Sequence, residues 1–370
     1  MRLLVATIDF PPARGGVQNL LERLLERLSQ QHEVVVVTPR ASAADRDWDA
    51  GRPYRIVRSP AAGASRLGLA VLSARTLAEA LAVRPAVIVC AHVLLGPVCR
   101  LIARLLRRPY VVMAYAYEIR APRMARISRL ALGGAARVVT ISDFSRRAVE
   151  AHGVAPERVA VIQPGAAVGL RPPGAHAPLL PEPGPIVLSV GRLVDAYKGH
   201  DMVIRALPLV LARFPSARYV IVGDGPLAGY LRRLAQSVGV DGAVVFAGAA
   251  TDAELDGWYR RCDVLVLASR ESAVSGGAEG FGIVLVEAGL RGKPVVAGRS
   301  GGIPDAVVHE ETGLLVSPVD VAEIADAIVR LLADPSYAAR LGEQGRRRAT
   351  GELSWDGYAA RFQRVLGELV

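Results

Sequence analysis

The stretch SGGAEGFGIVLVEAGLRGKPVVAG, residues 275–298, places two carboxylates in a segment that otherwise has the composition of buried apolar structure. Glu279 and Glu287 lie on either side of a phenylalanine between two glycines. Burying a carboxylate is costly unless it gains hydrogen bonds or a positive partner. The pattern therefore indicates a ligand site, and a solvated helix start is the alternative interpretation.

Short aliphatic runs alternate with amphipathic helical patterns on both sides of this stretch. Continuous apolar strands separated by helices are typical of parallel sheets that are covered on both faces. The predicted strands of the first series are 3–8, 33–39, 86–90, 110–115, 137–141 and 159–162. Those of the second series are 186–190, 218–223, 243–248, 263–269, 293–298 and 313–318.

A length of 370 residues allows two domains, each with its own core. Residues 168–185 hold six prolines and show no periodicity, which predicts an interdomain linker. We therefore expect a first Rossmann-like domain over 1–167 and a second over 186–353. The amphipathic segment 354–370 is expected to cross back onto the first domain as a helix.

The net charge of +10 is concentrated in the first half of the chain. Residues 1–170 hold 24 arginines and 12 acidic residues, whereas the remaining 21 basic and 23 acidic residues nearly cancel. Such asymmetry suits an anionic membrane surface or a solvated arginine face. Nucleic acid is not expected as a partner, because no aromatic residues are interleaved with the arginines.

Two segments concentrate these arginines beside aliphatic residues, at 97–110 and 119–130. In the second, arginine recurs at every third position, at Arg120, Arg123, Arg126 and Arg129. Basic amphipathic surfaces of this kind suit lipid headgroups, so peripheral contact with an anionic membrane is one expectation. Arginine stems packed on the domain are the other.

Cysteine usage and the start of the chain favour a cytoplasmic protein. Cys90, Cys99 and Cys262 are odd in number and widely spaced, as expected of reduced core residues. The first apolar run ends after a few residues at Asp9, which fits a strand better than a signal peptide. No apolar run is long enough for a membrane span. If the basic surface contacts a membrane, the inner face of the plasma membrane is the expected location.

Three further loops follow predicted strands, where ligands collect in doubly wound sheets. Gly15 and Gly16 precede a helix, so its N-terminus can face phosphate or sugar oxygens, although a simple tight turn is the alternative. Arg192 and Lys198 follow the strand 186–190 and could neutralise a diphosphate, unless they are ordinary surface cations. The sequence GDG at 223–225 lacks the third glycine of a dinucleotide fingerprint, so NAD is not expected.

The motifs together resemble the retaining glycosyltransferases of family 4. They comprise EGFGIVLVEA at 279–288, GKPVVAGRSGGIPDAV at 292–307, ETGLLV at 311–316, SVGR with KGHD, IVGDGPL, and DFPPARGGVQ near the start. The resemblance spans nearly the whole chain and implies the GT-B fold, in which two Rossmann-like doubly wound domains face each other across a cleft. The stretch DFPPARGGVQ near the start of the chain and the loop before EGFGIV are particularly similar to those of the phosphatidylinositol mannosyltransferases.

The resemblance implies roles for residues at matching positions. Arg192 and Lys198 would hold the diphosphate and stabilise the leaving nucleotide, Glu279 would contact the donor sugar, and Glu287 the ribose. Glu279, Arg192 and Lys198 are thus the predicted catalytic residues. The remaining predicted donor contacts are the glycine pair and the turn and amides before Glu287: Gly15, Gly16, Gly280, Phe281, Gly282, Ile283 and Val284. No metal or other cofactor is implied, because the two cations and the helix start replace it.

This chain departs from the family pattern at two places. Relatives commonly carry a histidine in a segment like HGHE, where this chain has AYAYE. A tyrosine can donate to a sugar hydroxyl but is no equivalent base near neutral pH. The acceptor-side candidates are His92, Tyr115, Tyr117 and Glu118. In addition, Arg192 and Lys198 are six residues apart, where five is more usual, which predicts a local bulge.

The expected partners are a nucleotide sugar and a lipid or glycan acceptor. GDP-mannose is favoured as donor, with a lipid-linked, glycolipid or polysaccharide precursor as acceptor. One alternative is a UDP-glucose or UDP-N-acetylglucosamine dependent transferase with a small-molecule acceptor. Others are a sugar-nucleotide epimerase and a non-catalytic GT-B binding protein.

Overall fold

The computed structural model describes residues 1–13, 15–40, 42, 45–60, 65–166, 184–272 and 276–370, apart from the side chain of Tyr117. The chain divides into two compact units. Unit 1 comprises Met1–Pro164 and Trp355–Val370, and unit 2 comprises Gly165–Ser354. Most of the predicted linker 168–185 lies outside the described residues.

Unit 1 is built on a parallel sheet of seven strands with the order β3-β2-β1-β4-β5-β6-β7. Strand β1 pairs with both β2 and β4, so the strand order reverses at β1, as in doubly wound sheets. The strands are β1 Arg2–Ala6, β2 Glu33–Pro39, β3 Arg55–Ser59, β4 Val87–Cys90, β5 Tyr110–Ala114, β6 Arg137–Thr140 and β7 Val159–Val161.

The helices of unit 1 connect these strands. They are α1 Gly16–Leu28, α2 Asp45–Ala50, α3 Arg66–Val83, α4 Gly96–Leu106, α5 Tyr117–Arg120, α6 Ala125–Gly133 and α7 Asp143–Glu150. A 3-10 turn at Pro122–Met124 separates α5 from α6, so the four regularly spaced arginines do not share one helix face. The guanidinium of Arg120 packs 4.7 Å from the ring centroid of Phe144, whereas Arg123, Arg126 and Arg129 are exposed.

Unit 2 is built on a parallel sheet of six strands with the order β10-β9-β8-β11-β12-β13. The strands are β8 Ile186–Val190, β9 Arg218–Val222, β10 Val244–Gly248, β11 Val264–Leu267, β12 Val295–Gly298 and β13 Leu314–Val316. The helices are α8 His200–Leu211, α9 Ala228–Ser237, α10 Asp252–Arg261, α11 Ile283–Leu290, α12 Ile303–Ala306, α13 Val321–Ala333 and α14 Pro335–Gly351. In the described residues of both units, no helix has the length and apolarity that a bilayer span requires.

The predicted class of two doubly wound Rossmann-like units is confirmed. Each predicted strand is present to within two residues at either end. The sequence prediction missed only β3 among the described strands. This edge strand, RIVRS, contains two arginines and is only partly buried, so it lacks the aliphatic run that identified the others.

The last helix, α15 (Trp355–Gly367), belongs to unit 1 and packs on α1. Arg27 on α1 pairs with Asp356 at 2.5 Å, but Asp356 is 85% exposed, so this pair contributes little. The apolar face of α15 is buried and includes Tyr358, Phe362 and Leu366. Hydrophobic burial therefore holds the end of the chain on unit 1.

Glycines set the distance between α11 and α14 in unit 2. A Cβ on Gly342 of α14 would lie 2.0 Å from the carbonyl oxygen of Gly292, just after α11. Gly289 and Gly345 also face each other, with a Cβ on Gly289 only 3.3 Å from the backbone of Gly345. Since α11 carries Glu287, this close approach fixes the position of a predicted site residue.

Gly342→Ala is expected to destabilise unit 2 by about 2–3 kcal/mol, because backbone cannot move away from the added methyl group without opening the helix pair. Gly351→Ala is the matched control on the same helix. A Cβ there meets no atom within 4 Å, so its effect should be neutral or slightly stabilising. Urea unfolding of the full chain measures both, and equal midpoints for the two variants would contradict this account.

Candidate active site

Two loops meet at the carboxyl edge of the unit 2 sheet, where the adjacent strands β8 and β11 end. The loop after β8 carries Lys198 in a 3-10 turn, Ala196–Lys198, and the loop after β11 carries Glu279. Lys198 Nζ donates to Glu279 Oε2 at 2.5 Å. The structure thus brings together two predicted catalytic residues that are 81 positions apart.

The ion pair between Lys198 and Glu279 is mostly shielded from water. The side chains are 21% and 15% exposed, respectively. Burial lowers the pKa of the Lys198 ammonium, but the negative charge of Glu279 outweighs this, so the pKa lies above its ordinary value. Lys198 therefore stays charged at neutral pH and can face a phosphate.

Arg192 lies on the same loop as Lys198 and is exposed. Its guanidinium forms no ion pair with the residues that the structure describes. The GDG turn at 223–225 supports this loop, because Leu193 N donates to Asp224 O at 2.9 Å. A Cβ on Gly225 would lie 2.5 Å from Leu193 O, so a side chain at position 225 would displace the loop that carries Arg192.

The start of α11 exposes backbone donors near Glu279. Gly282 caps the helix in the left-handed region, at φ 90°, a conformation that favours glycine. The side chain of Phe281 is 1% exposed and anchors the turn in the core. The N–H groups of Ile283 and Val284 belong to the first turn, where no preceding helical carbonyl can accept them. This helix start can therefore receive an anion.

Glu287 on α11 is held by two neighbours that sequence reasoning did not identify. The hydroxyl of Tyr259 donates to Glu287 Oε2 at 2.7 Å, and Arg291 donates to the backbone oxygen of Glu287 at 2.9 Å. Arg291 in turn pairs with Asp256 at 2.6 Å. In sequence, Tyr259 follows a tryptophan on an amphipathic helix and gives only the signal of a core residue.

A buried polar chain underlies the loop of Arg192 and Lys198. Ser189 Oγ donates to Val266 O at 2.6 Å, and Tyr219 OH donates to Ser189 Oγ at 2.9 Å. Both hydroxyl protons are then used, so the contact of 3.2 Å between His200 Nδ1 and Tyr219 OH assigns a proton to Nδ1. Burial, with the charge of Lys198 adding to it, lowers the pKa of His200 to about 4.

In unit 1, Gly15 and Gly16 lie at the start of α1, as the sequence predicted. Gly15 is the N-cap residue in an extended conformation that any residue adopts. A Cβ there would lie 2.3 Å from Gln18 Oε1, and Gln18 donates to Asp9 Oδ1 at 3.3 Å. The absence of a side chain at Gly15 thus lets Gln18 fold back over the loop. The donor contacts of this pair stay a prediction.

The acceptor-side candidates of unit 1 differ in accessibility. His92 Nδ1 accepts from Leu94 N at 3.2 Å, which leaves the ring proton on Nε2, and burial lowers the pKa of His92 to about 4. Tyr115 is buried, and its hydroxyl contacts Met113 Sδ at 3.9 Å. Glu118 is also buried and accepts from Tyr115 N at 2.7 Å, while burial raises its pKa. The side chain of Tyr117 lies outside the described part.

Comparison with known proteins shows the family. The Glycosyltransferase Family 4 model matches residues 14–168, and the Glycosyl transferases group 1 model matches residues 175–348. A GDP-mannose-dependent alpha-(1-6)-phosphatidylinositol monomannoside mannosyltransferase of Mycolicibacterium smegmatis is 34% identical, over 98% of each chain. The chain belongs to the family 4 glycosyltransferases. The predicted resemblance is confirmed.

A second relative of this family 4 glycosyltransferase matches less of its length. A D-inositol 3-phosphate glycosyltransferase of Thermobifida fusca is 32% identical over 62% of this chain and 55% of the relative. Among solved structures, Anabaena HepE in complex with UDP superposes with a TM-score of 0.80, at 22% identity and full coverage of both chains. Sucrose-phosphate synthase of Thermosynechococcus elongatus superposes with a TM-score of 0.82 at 23% identity, over 100% of this chain and 98% of the synthase chain. These structural matches establish the GT-B fold.

The buried imidazole of His200 makes the stability of this glycosyltransferase depend on pH. The unfolded chain binds a proton at His200 near pH 6.5, whereas the folded chain does so only near pH 4. The free energy of unfolding should therefore fall as the pH drops through this window, by about 1.4 kcal/mol per pH unit. His200→Asn keeps an N–H for Tyr219 and removes the group that binds the proton. The free energy of unfolding of this variant should therefore change less steeply with pH, by that amount.

Urea unfolding of the full chain at pH 4.5, 5.5 and 6.5 measures the two slopes. His92, which carries a similar pKa shift in unit 1, is retained in both proteins and provides the internal reference. Parallel slopes for the parent and His200→Asn would show that His200 is protonated in the folded chain.

Proposed function

We propose that this glycosyltransferase moves mannose from GDP-mannose to a hydroxyl of a lipid-linked, glycolipid or polysaccharide precursor, with retention of configuration and without a metal. The observation that carries the proposal is the pair of Lys198 and Glu279 at the carboxyl edge of the unit 2 sheet. The full-length relatives are described as GDP-mannose-dependent mannosyltransferases acting on phosphatidylinositol monomannoside, which supports both the donor and the acceptor class.

Positive charge at the site supports a role in the departure of the nucleotide. In the proposed reaction, the bond between C1 of the sugar and the diphosphate oxygen breaks, and negative charge grows on that oxygen. Lys198, Arg192 and the amides at the start of α11 would stabilise it, an effect that is strong where water is excluded. These groups would supply the charge that a divalent metal supplies elsewhere.

In the proposed front-face route to retention, the acceptor attacks on the face of the sugar from which the nucleotide departs. The acceptor oxygen forms a bond to C1, and its proton passes to the departing phosphate oxygen, so no protein base is needed. Glu279 would orient the sugar hydroxyls. Glu287, which accepts a hydrogen bond from Tyr259, would orient the ribose. Lys198 would then exchange part of its contact with Glu279 for the phosphate.

The choice of donor is tested by thermal shift with GDP-mannose, UDP-glucose, UDP-N-acetylglucosamine and ADP-glucose. A ligand that binds only the folded chain raises the melting temperature, by an amount that grows with affinity and concentration. GDP-mannose should give the largest shift. A larger shift with a UDP-sugar would instead favour the alternative of a UDP-sugar transferase with a small-molecule acceptor.

Lys198→Ala and Glu279→Ala should each lower kcat by at least about a hundredfold, because each removes an interaction that is strongest in the transition state. Lys293→Ala is the matched control, since Lys293 is the only other lysine of the chain and lies outside the candidate site. Release of mannose from GDP-mannose measures turnover without an acceptor, and addition of EDTA tests the metal independence.

Near-normal turnover in either site variant would contradict the assignment of these residues. A parent protein that binds the donor but never releases sugar would support the non-catalytic alternative. An NMR spectrum of the transferred product reports whether the anomeric configuration is retained.

The proposal includes peripheral contact with an anionic membrane at the cytoplasmic face. Exposed arginines and leucines occur together on α4 and α6, including Arg126, Arg129 and Leu130, which is 43% exposed. Guanidinium groups attract anionic headgroups, and leucines can enter the boundary of the acyl chains. Salt-sensitive cosedimentation with phosphatidylglycerol vesicles tests this contact.

A further inference from the structure

A cavity of about 310 Å³ opens in unit 1 between α4, the start of β5 and the end of α6. Arg100, Arg104 and Arg108 line it together with small and aromatic residues, and none of the lining residues is acidic. Three guanidinium groups in one concave site repel one another unless an anion lies between them. The composition of the cavity therefore suits a ligand of high negative charge.

The guanidinium groups of the cavity are available to such a ligand. Within the residues that the structure describes, neither Arg104 nor Arg108 makes a side-chain hydrogen bond or ion pair. Arg100 donates from one nitrogen to Leu130 O at 3.2 Å, which orients the group and leaves its other N–H donors. A Cβ on Gly134 would lie 3.0 Å from Arg100 Nε, so glycine at this position leaves room for the guanidinium.

The segment that lines the cavity carries almost no acidic residues of its own, and Glu368, which pairs with Arg137 at 3.1 Å, does not line the cavity. Residues 91–137 contain nine arginines and one acidic residue, Glu118. Glu118 is buried, and its carboxylate accepts from Tyr115 N in a neighbouring turn. Opposite charges that would normally accompany so many arginines are therefore missing from this segment.

The cavity lies at the opposite edge of the unit 1 sheet from the acceptor-side candidates. Tyr110, the first residue of β5, lines the cavity, whereas Tyr115 follows the last residue, Ala114. Four steps of about 3.3 Å along a strand separate the two ends by roughly 13 Å. Ligands of doubly wound sheets bind at the carboxyl ends, so this cavity is a different site.

We propose that the cavity binds a phosphomonoester, with Arg100, Arg104 and Arg108 as its ligands. A phosphomonoester carries close to two negative charges and three acceptor oxygens, which match the paired donors of several guanidinium groups. The volume exceeds that of a bare phosphate ion and accommodates the group that carries it. The phosphate comes from a soluble metabolite or from a lipid headgroup, and both present the same chemistry.

The test compares two double variants of equal charge. Arg104→Gln/Arg108→Gln removes two cavity ligands, and Arg46→Gln/Arg66→Gln removes two exposed arginines of unit 1 that neither line the cavity nor belong to α4 or α6. Titration calorimetry with glycerol 3-phosphate examines the soluble source, and cosedimentation with vesicles containing phosphatidic acid examines the lipid source. The cavity variant should bind the phosphomonoester at least tenfold more weakly than the parent, and the control variant within about threefold.

The calorimetry and the cosedimentation distinguish a soluble phosphomonoester from a lipid headgroup. A cavity-dependent loss with glycerol 3-phosphate assigns the site to a soluble phosphomonoester, and a loss confined to phosphatidic acid assigns it to a lipid. Since unit 2 is unchanged in both variants, phosphate bound near Lys198 affects them equally. Equal losses in the two variants, or no loss in either measurement, would overturn the proposal, because the arginines would then act only through their summed charge. Melting temperatures confirm that both variants fold.

Discussion

An ammonium and a carboxylate hold together the two loops on which the candidate site depends. Lys198 follows β8 and Glu279 follows β11, and these strands are neighbours in the sheet only because the chain order reverses between them. Each charge would be costly to shield from water alone. Together they keep a cation at the edge of the sheet, next to the first turn of α11, where a diphosphate would replace part of their mutual contact in the proposed reaction.

The main elements of this arrangement could be predicted from the sequence. Most strands are buried and appear as uninterrupted aliphatic runs, so twelve of the thirteen described strands could be placed from the sequence pattern. The loops of the candidate site could be identified because they follow such runs and contain residues that the core would reject, such as Glu279 and Lys198. Strand β3 was missed because its two arginines at the sheet edge break the apolar run.

The supporting residues could not be predicted, for a physical reason. Tyr259 holds Glu287 across 28 positions, and His200 is oriented by Tyr219 across 19. Both side chains are buried among core residues, and only the packing of helices on the sheet shows what their polar atoms contact. The inward orientation of Tyr115 is of the same kind, since its neighbour Glu118 closes the turn that buries it.

The placement of α15 has a consequence for the synthesis of the protein. Unit 1 is discontinuous in sequence, because its last helix follows all of unit 2. While the ribosome is still translating, the first 164 residues emerge with the surface of α1 uncovered, and unit 2 can fold before unit 1 is complete. The nascent chain must therefore keep an apolar surface open for nearly two hundred residues until Trp355, Tyr358 and Phe362 arrive to close it.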